Sequence, residues 1–184
     1  NGDLLVVPTS KDGNSSQRWH WFQMKCFKMN ADRTAFELIQ TIDFQRGGTT
    51  TYEYLYRAVT KIAMSADGKW VLATGPSGWY DYQGTAILFH FDDASNQYYV
   101  HTDFTISGSV AGVTYYHHSS ANSNYGKFCS MSDDGRYIQV GGDRSTNGHN
   151  TNIVFERDGE TGPYSIKYYY RSLPGNTNAW SWNI

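Results

Sequence analysis

A seven-residue pattern occurs twice inside this chain and a third time across its ends. Ile62-Ala63-Met64-Ser65-Ala66-Asp67-Gly68 returns as Cys129-Ser130-Met131-Ser132-Asp133-Asp134-Gly135. The closing residues Trp180-Ser181-Trp182-Asn183-Ile184, read on into Asn1-Gly2, give it again. Repetition restricts the fold more than any local propensity does, because each unit must bury its apolar face against a neighbour built the same way. Gly2, Gly68 and Gly135 are 66 and 67 residues apart, and a return to the glycine of a following copy takes 51. The expectation is a segment of a longer repeating chain, or a unit that meets a copy of itself end to end.

The chemistry around each glycine recurs at fixed offsets. Six and four residues before it stand Ile62 and Met64, Cys129 and Met131, or Trp180 and Trp182, with a small residue between them. Three and five residues after it come Val71 and Ala73, Ile138 and Val140, or Leu5 and Val7. Period-two alternation on both sides of an Asp-Gly or Asn-Gly corner marks a hairpin. These ten residues outside the C-terminal pair are expected to be buried between blades. Each hairpin is followed by two further strand-like runs: 21–27 and 35–42, 85–91 and 97–104, 151–157 and 164–170. Four antiparallel strands per unit, in sequence order, make a propeller blade. The fold class is therefore all-β, with three four-stranded antiparallel blades belonging to a larger propeller or repeat assembly. The units are 1–57, 58–124 and 125–184 of a single domain, and the C-terminal strand 176–183 completes the blade of the N-terminal strands.

Composition agrees. Tyr (15), Trp (6) and Phe (9) make the chain 16% aromatic, a usage that favours strands. With a net charge of −2 nothing points to a nucleic-acid partner held by phosphate neutralisation, and none is expected. No apolar run reaches the ~20 residues of a membrane span. Cys26 and Cys129 each sit in an apolar strand pattern, which favours two small buried hydrophobes and leaves a disulfide as the alternative. Asn14-Ser15-Ser16 is a glycosylation acceptor in a polar stretch, consistent with an extracellular, secreted chain.

Apolar-small-apolar-Ser-x-Asp-Gly, followed by a strand ending in Ala73-Thr74-Gly75-Pro76 or Val140-Gly141-Gly142, resembles the FG-GAP repeat of integrin-α-type β-propellers in its divergent Ser-x-Asp-Gly form. Tyr125-Gly126 stands where that family has Phe-Gly, whereas Ala58-Val59 departs from it. The resemblance implies an extracellular propeller with a role in adhesion or structure. The family's calcium loop does not carry over. Ser65-Ala66-Asp67-Gly68 supplies one carboxylate and Ser132-Asp133-Asp134-Gly135 two adjacent ones, too few for the six to eight oxygens calcium takes.

Function is expected in the long loops of one face: 8–18, 75–84 and 143–150, with 45–55, 107–125 and 173–178. They carry Trp79, Tyr80, Tyr82, Tyr115, Tyr116, His117 and His118 as candidate binding residues. Aromatics among Ser, Gly and Asn suit flat contact with proteins or sugar rings. His117-His118 is the one cluster suggesting a metal, but adjacent residues of an extended chain point apart, so no metal and no cofactor are expected. Asp81, Asp92, Asp93 and Asp143 show no spacing that marks a pair of glycosidase carboxylates. The leading expectation is a non-enzymatic extracellular structural or adhesive module. It joins other copies or adjacent repeats through an interface of Leu5, Val7, Trp180 and Trp182, into a filament or surface layer. A glycan-binding propeller using the aromatic loops is the rival.

Overall fold

The computed structural model describes residues 2–11, 21–44, 59–75, 85–104, 109–110, 113–114, 125–142 and 151–171. Every regular element among them is a strand: β1 (Leu4–Lys11), β2 (Trp21–Met29), β3 (Phe36–Phe44), β4 (Lys61–Met64), β5 (Trp70–Gly75), β6 (Thr85–Asp92), β7 (Gln97–Asp103), β8 (Ser109–Val110), β9 (Val113–Thr114), β10 (Phe128–Met131), β11 (Tyr137–Gly142), β12 (Thr151–Arg157) and β13 (Tyr164–Arg171). They pair antiparallel in chain order as β1-β2-β3, β4-β5-β6-β7 and β10-β11-β12-β13, with β8-β9 a separate short hairpin. The chain is thus all-β, built of three consecutive meander sheets that serve as blades. The first has three strands among the described residues. The strand expected at 176–183 lies outside them. The β8-β9 hairpin falls in a stretch read from sequence as loop.

The blades share more than strand order. In each, the pairing of the last two strands shifts by one residue immediately before a phenylalanine: between Cys26 and Phe27, Leu88 and Phe89, and Val154 and Phe155. The bulged-out residues are Ile39, His101 and Lys167. A bulge reverses which face the following residues serve. This is why Phe27 pairs with Leu38, Phe89 with Val100 and Phe155 with Ile166.

Two apolar layers hold the blades together. Between the first and second lie Met24, Cys26, Ile42, Val71, Ala73, Ile87, Phe89, Phe91 and Tyr98, with Leu4, Val6 and Val100 packed against them. Between the second and third lie Trp70, Leu72, Ala86, Leu88, Tyr125, Ile138, Val140, Ile153, Phe155 and Tyr164. β5 and β6 are therefore buried on both faces, and β5 reads as a continuous apolar run for that reason. Of the residues expected to be buried, Val71, Ala73, Ile138 and Val140 are, while Ile62, Cys129, Met131 and Val7 are half-buried. Met64 and Leu5 are exposed, at 37% and 38%. Met64 closes the short inner strand β4, and Leu5 looks out from the first blade on the side where no other blade stands among the described residues. Leu4 and Val6, their chain neighbours, take the inward positions instead.

Candidate functional site

The Ser-x-Asp-Gly corners come first, because they set how one blade meets the next. Ser65 Oγ donates to Asp67 Oδ1 at 2.6 Å and accepts from the Trp70 N–H at 3.0 Å, while Asp67 Oδ1 accepts from the Lys69 N–H at 2.9 Å. Ser132, Asp134, Arg136 and Tyr137 repeat this at 2.6, 2.9 and 2.9 Å. The Ser132 hydroxyl and the Arg136 N–H hold the Asp134 carboxyl below its ordinary range. Each carboxylate is thus occupied in closing its own hairpin. Among the described residues no group of three or more His, Cys, Asp or Glu side chains converges as a metal site.

The corner glycine has positive φ, +79° at Gly68 and +67° at Gly135, and its carbonyl is held from across the blade. The Tyr98 hydroxyl donates to the Gly68 carbonyl at 2.7 Å, and the Tyr164 hydroxyl donates to that of Gly135. The glycine also receives the blade before it. A Cβ on Gly68 would lie 2.8 Å from Leu4 Cβ, and one on Gly135 would lie 2.6 Å from Trp70 Cδ1. Leu4 and Trp70 each stand two residues after their own corner glycine, so each blade roofs the corner of the next. The Ala66 N–H adds a 2.8 Å bond to the Asp133 carbonyl between neighbouring corners. Gly2 has a similar φ, +69°, and among the described residues nothing lies within 4 Å of where its Cβ would be.

That bare corner belongs to a bare face. Cross-strand register makes Leu5 the counterpart of Val71 and Ile138, Val7 of Ala73 and Val140, and Phe27 of Phe89 and Phe155. It likewise makes Leu38 the counterpart of Val100 and Ile166, Phe36 of Tyr98 and Tyr164, and Met29 of Phe91 and Arg157. In the second and third blades these positions face the blade before and are largely buried. In the first blade Leu5, Phe36 and Leu38 are exposed, at 38, 39 and 55%.

The far face of the third blade is different. Ser130 Oγ donates to Gln139 Oε1 at 3.1 Å, and Gln139 Nε2 donates to Asn152 Oδ1 at 2.8 Å. Glu156 accepts from Arg136, Tyr137 and Lys167, each at 2.8 Å. Bonds from Lys167, Tyr137 and Arg136 hold its carboxyl down to about 2. Gln139 and Asn152 occupy the positions of Leu72 and Ala86 in the second blade.

Trp79, Tyr80, Tyr82, Tyr115, Tyr116, His117, His118, Asn14, Trp180 and Trp182 lie outside the described residues, as do Asp81 and Asp143. Of the other two acidic candidates, Asp92 accepts from Ser95 and from the Ala94 and Ser95 N–H groups in the β6–β7 turn, and Asp93 pairs with Lys69 at 2.5 Å. Both thiols are free, and burial pushes Cys26 up to about 12 and raises Cys129. Neither is a nucleophile near neutral pH. Phe27, Met29, Phe36 and Leu38 were not singled out from sequence. The signal that finds them is the phenylalanine common to β2, β6 and β12, Phe27, Phe89 and Phe155.

No protein-family model matches the chain, and no curated protein is significantly similar to it. Among solved structures it is similar to a 6-phosphogluconolactonase candidate from Bacteroides fragilis, at 16% identity and TM-score 0.48. It is also similar to the β-propeller domain of the Trilobed protease from Pyrococcus furiosus, at 12% identity and TM-score 0.47. These matches cover 92% and 97% of this chain but 39% and 42% of the others, so the chain spans about two-fifths of the structures it matches.

Proposed function

We propose that this chain is a non-enzymatic, extracellular structural or adhesive β-propeller module of FG-GAP-like type, which works by joining further copies or repeats of its own kind. One observation carries the reading: the outward face of the first blade, Lys25 apart, carries apolar side chains at the positions by which the second and third blades bury themselves. A surface with that composition is built to be covered. The extracellular placement rests on the acceptor tripeptide at Asn14. Secretion from a glycosylating host should give a glycosidase-sensitive mass increase that Asn14→Gln removes.

Mass photometry over a concentration series tests the assembly. Species larger than the 20.9 kDa chain are expected, and a monomer throughout would overturn the reading. A glycan array separates it from the lectin alternative. Saturable sugar binding abolished by Trp79→Ala or Tyr116→Ala, in a chain that does not self-associate, would replace the structural role with glycan recognition.

A further inference from the structure

The two seams between blades take their cation from opposite sides. In the first seam it comes from the earlier blade. Lys28, which pairs with Leu4, places Nζ 5.5 Å from the centre of the Phe91 ring and donates to Asn96 Oδ1 at 2.8 Å. In the second seam it comes from the later blade, where the Arg157 guanidinium lies 4.2 Å from the Trp70 ring. Arg157 holds the place of Phe91, since each pairs with the corner-binding tyrosine of its blade. His90, which pairs with Trp70, holds the place of Lys28. Each seam thus sets one cation against one aromatic ring, and the second keeps in addition a side chain that can become another cation.

His90 is built into that seam. Its ring lies 4.1 Å from Trp70, and His101, the bulged residue of β7, lies 5.0 Å from Trp70 and 6.4 Å from His90. His101 reaches the third blade, with Nε2 3.3 Å from the Thr161 carbonyl and Nδ1 2.8 Å from Thr102 Oγ1. Tyr164 of β13 stands edge-on to Trp70 and to His101, and Tyr99 of β7 is the cross-strand partner of His90. Arg157 is buried and donates to the Asp134 and Gly159 carbonyls, while its Nη1 has no hydrogen-bond partner among the described residues. The charges facing His90 are His101 from β7, Arg157 from β12, Lys69 from β5 and the Asp67 carboxylate from the corner. Asp134 at the next corner faces Arg157. Asp67 is already held by Ser65 and the Lys69 N–H. Burial, then the charges of His101, Arg157 and Lys69, lower the His90 pKa, so its ring is neutral near pH 7.

We propose that the seam between the second and third blades is an acid-sensitive joint: protonation of His90 puts like charges on both blades and raises the population in which they part, while the first seam stays shut. Parting returns His90 to water, where its pKa is about 6.5, so protons favour the open form as pH falls below that value. At the first seam the matching positions are Lys28, Ile39 and Phe91, with no histidine among them.

The chain's own thiols read the two seams separately. Cys26 lies in the first apolar layer, and Cys129 packs against the second. Each is labelled with 4,4′-dithiodipyridine, and each rate is divided by that of the urea-unfolded chain at the same pH. Between pH 7.5 and 5.5 the Cys129 ratio should rise several-fold, with about tenfold as the ceiling for one proton of pKa 6.5, and the Cys26 ratio should stay level. His90→Gln should keep Cys129 level, and His90→Lys should make it fast already at pH 7.5. Circular dichroism checks that both variants fold. The Ala66 N–H, bonded across this seam to the Asp133 carbonyl at 2.8 Å, gives a readout in the wild type alone. Its hydrogen exchange by NMR, corrected for intrinsic rate, should quicken along the His90 imidazole titration. A level Cys129 ratio in the wild type, a rise shared equally by Cys26, or a rise that survives in His90→Gln would each overturn the joint. So would Ala66 exchange that ignores the His90 titration.

Discussion

The Ser65 hydroxyl is the smallest unit that explains the repeat, since it joins the Asp67 carboxylate to the Trp70 N–H and so closes the β4–β5 corner. Ser65→Ala leaves the Trp70 N–H without its side-chain acceptor, and should lower unfolding free energy by about 1–2 kcal/mol in urea titration. An unchanged midpoint would show that the corner holds without it. Tyr98→Phe should cost a similar ~1–2 kcal/mol, since the Gly68 carbonyl loses a buried donor. The first blade has Phe36 at that place and never had the bond, so Phe36→Leu should change stability far less. Glu156 gives a pH signature. Its folded-state pKa is held down to about 2, so its contribution is complete above the unfolded value near 4.5 and is lost as pH falls from there toward 2. Glu156→Gln should remove that part of the acid limb and leave the pH dependence above pH 5 as it is in the wild type.

Between elements, the sharpest chemistry lies where β5 and β6 meet β12 and β13. The His90 ring lies 4.1 Å from Trp70, His101 stands edge-on at 5.0 Å, and the Arg157 guanidinium is 4.2 Å from the Trp70 ring. Burial, then the charges of His101, Arg157 and Lys69, push the His90 pKa below its ordinary value, with Asp67 pulling weakly the other way. A lowered folded pKa means that stability is complete above about 6.5 and declines as pH drops below it. The denaturation midpoint should therefore fall between pH 7 and 5.5, and His90→Gln should flatten that slope; a parallel slope in the variant would place its origin elsewhere. Strands and corners were legible in the sequence because period-two alternation and Asp-Gly chemistry are local signals, as 62–75 and 129–142 show. Which face of a strand has a neighbour is not local. Leu4 and Leu5 are the same residue type on adjacent positions, and only packing tells the covered one from the open one. The bulge before Phe27 hid Leu38 and Phe36 further, since it reverses the alternation partway along β3.

At the scale of the whole molecule, one repeat position has two energetic fates. Ile138 is buried between blades, and Ile138→Ala should cost about 2–5 kcal/mol at any protein concentration. Leu5→Ala, its counterpart on the open face, should cost the isolated chain clearly less, about 1 kcal/mol, because the residue is already 38% exposed. If assembly covers that face, the Leu5→Ala deficit should grow with concentration, and the Ile138→Ala deficit should not. The roofed corner has a consequence of another kind. Each blade contributes one side chain to the glycine ahead of it and lends its own glycine to the blade behind, so the joint is the same wherever it is cut. A duplication or deletion of one whole unit would keep that glycine joint at every seam and change only the side chains packed around it, Leu4 at one corner and Trp70 at the other. Such a chain can change its length by integers through one recurring joint.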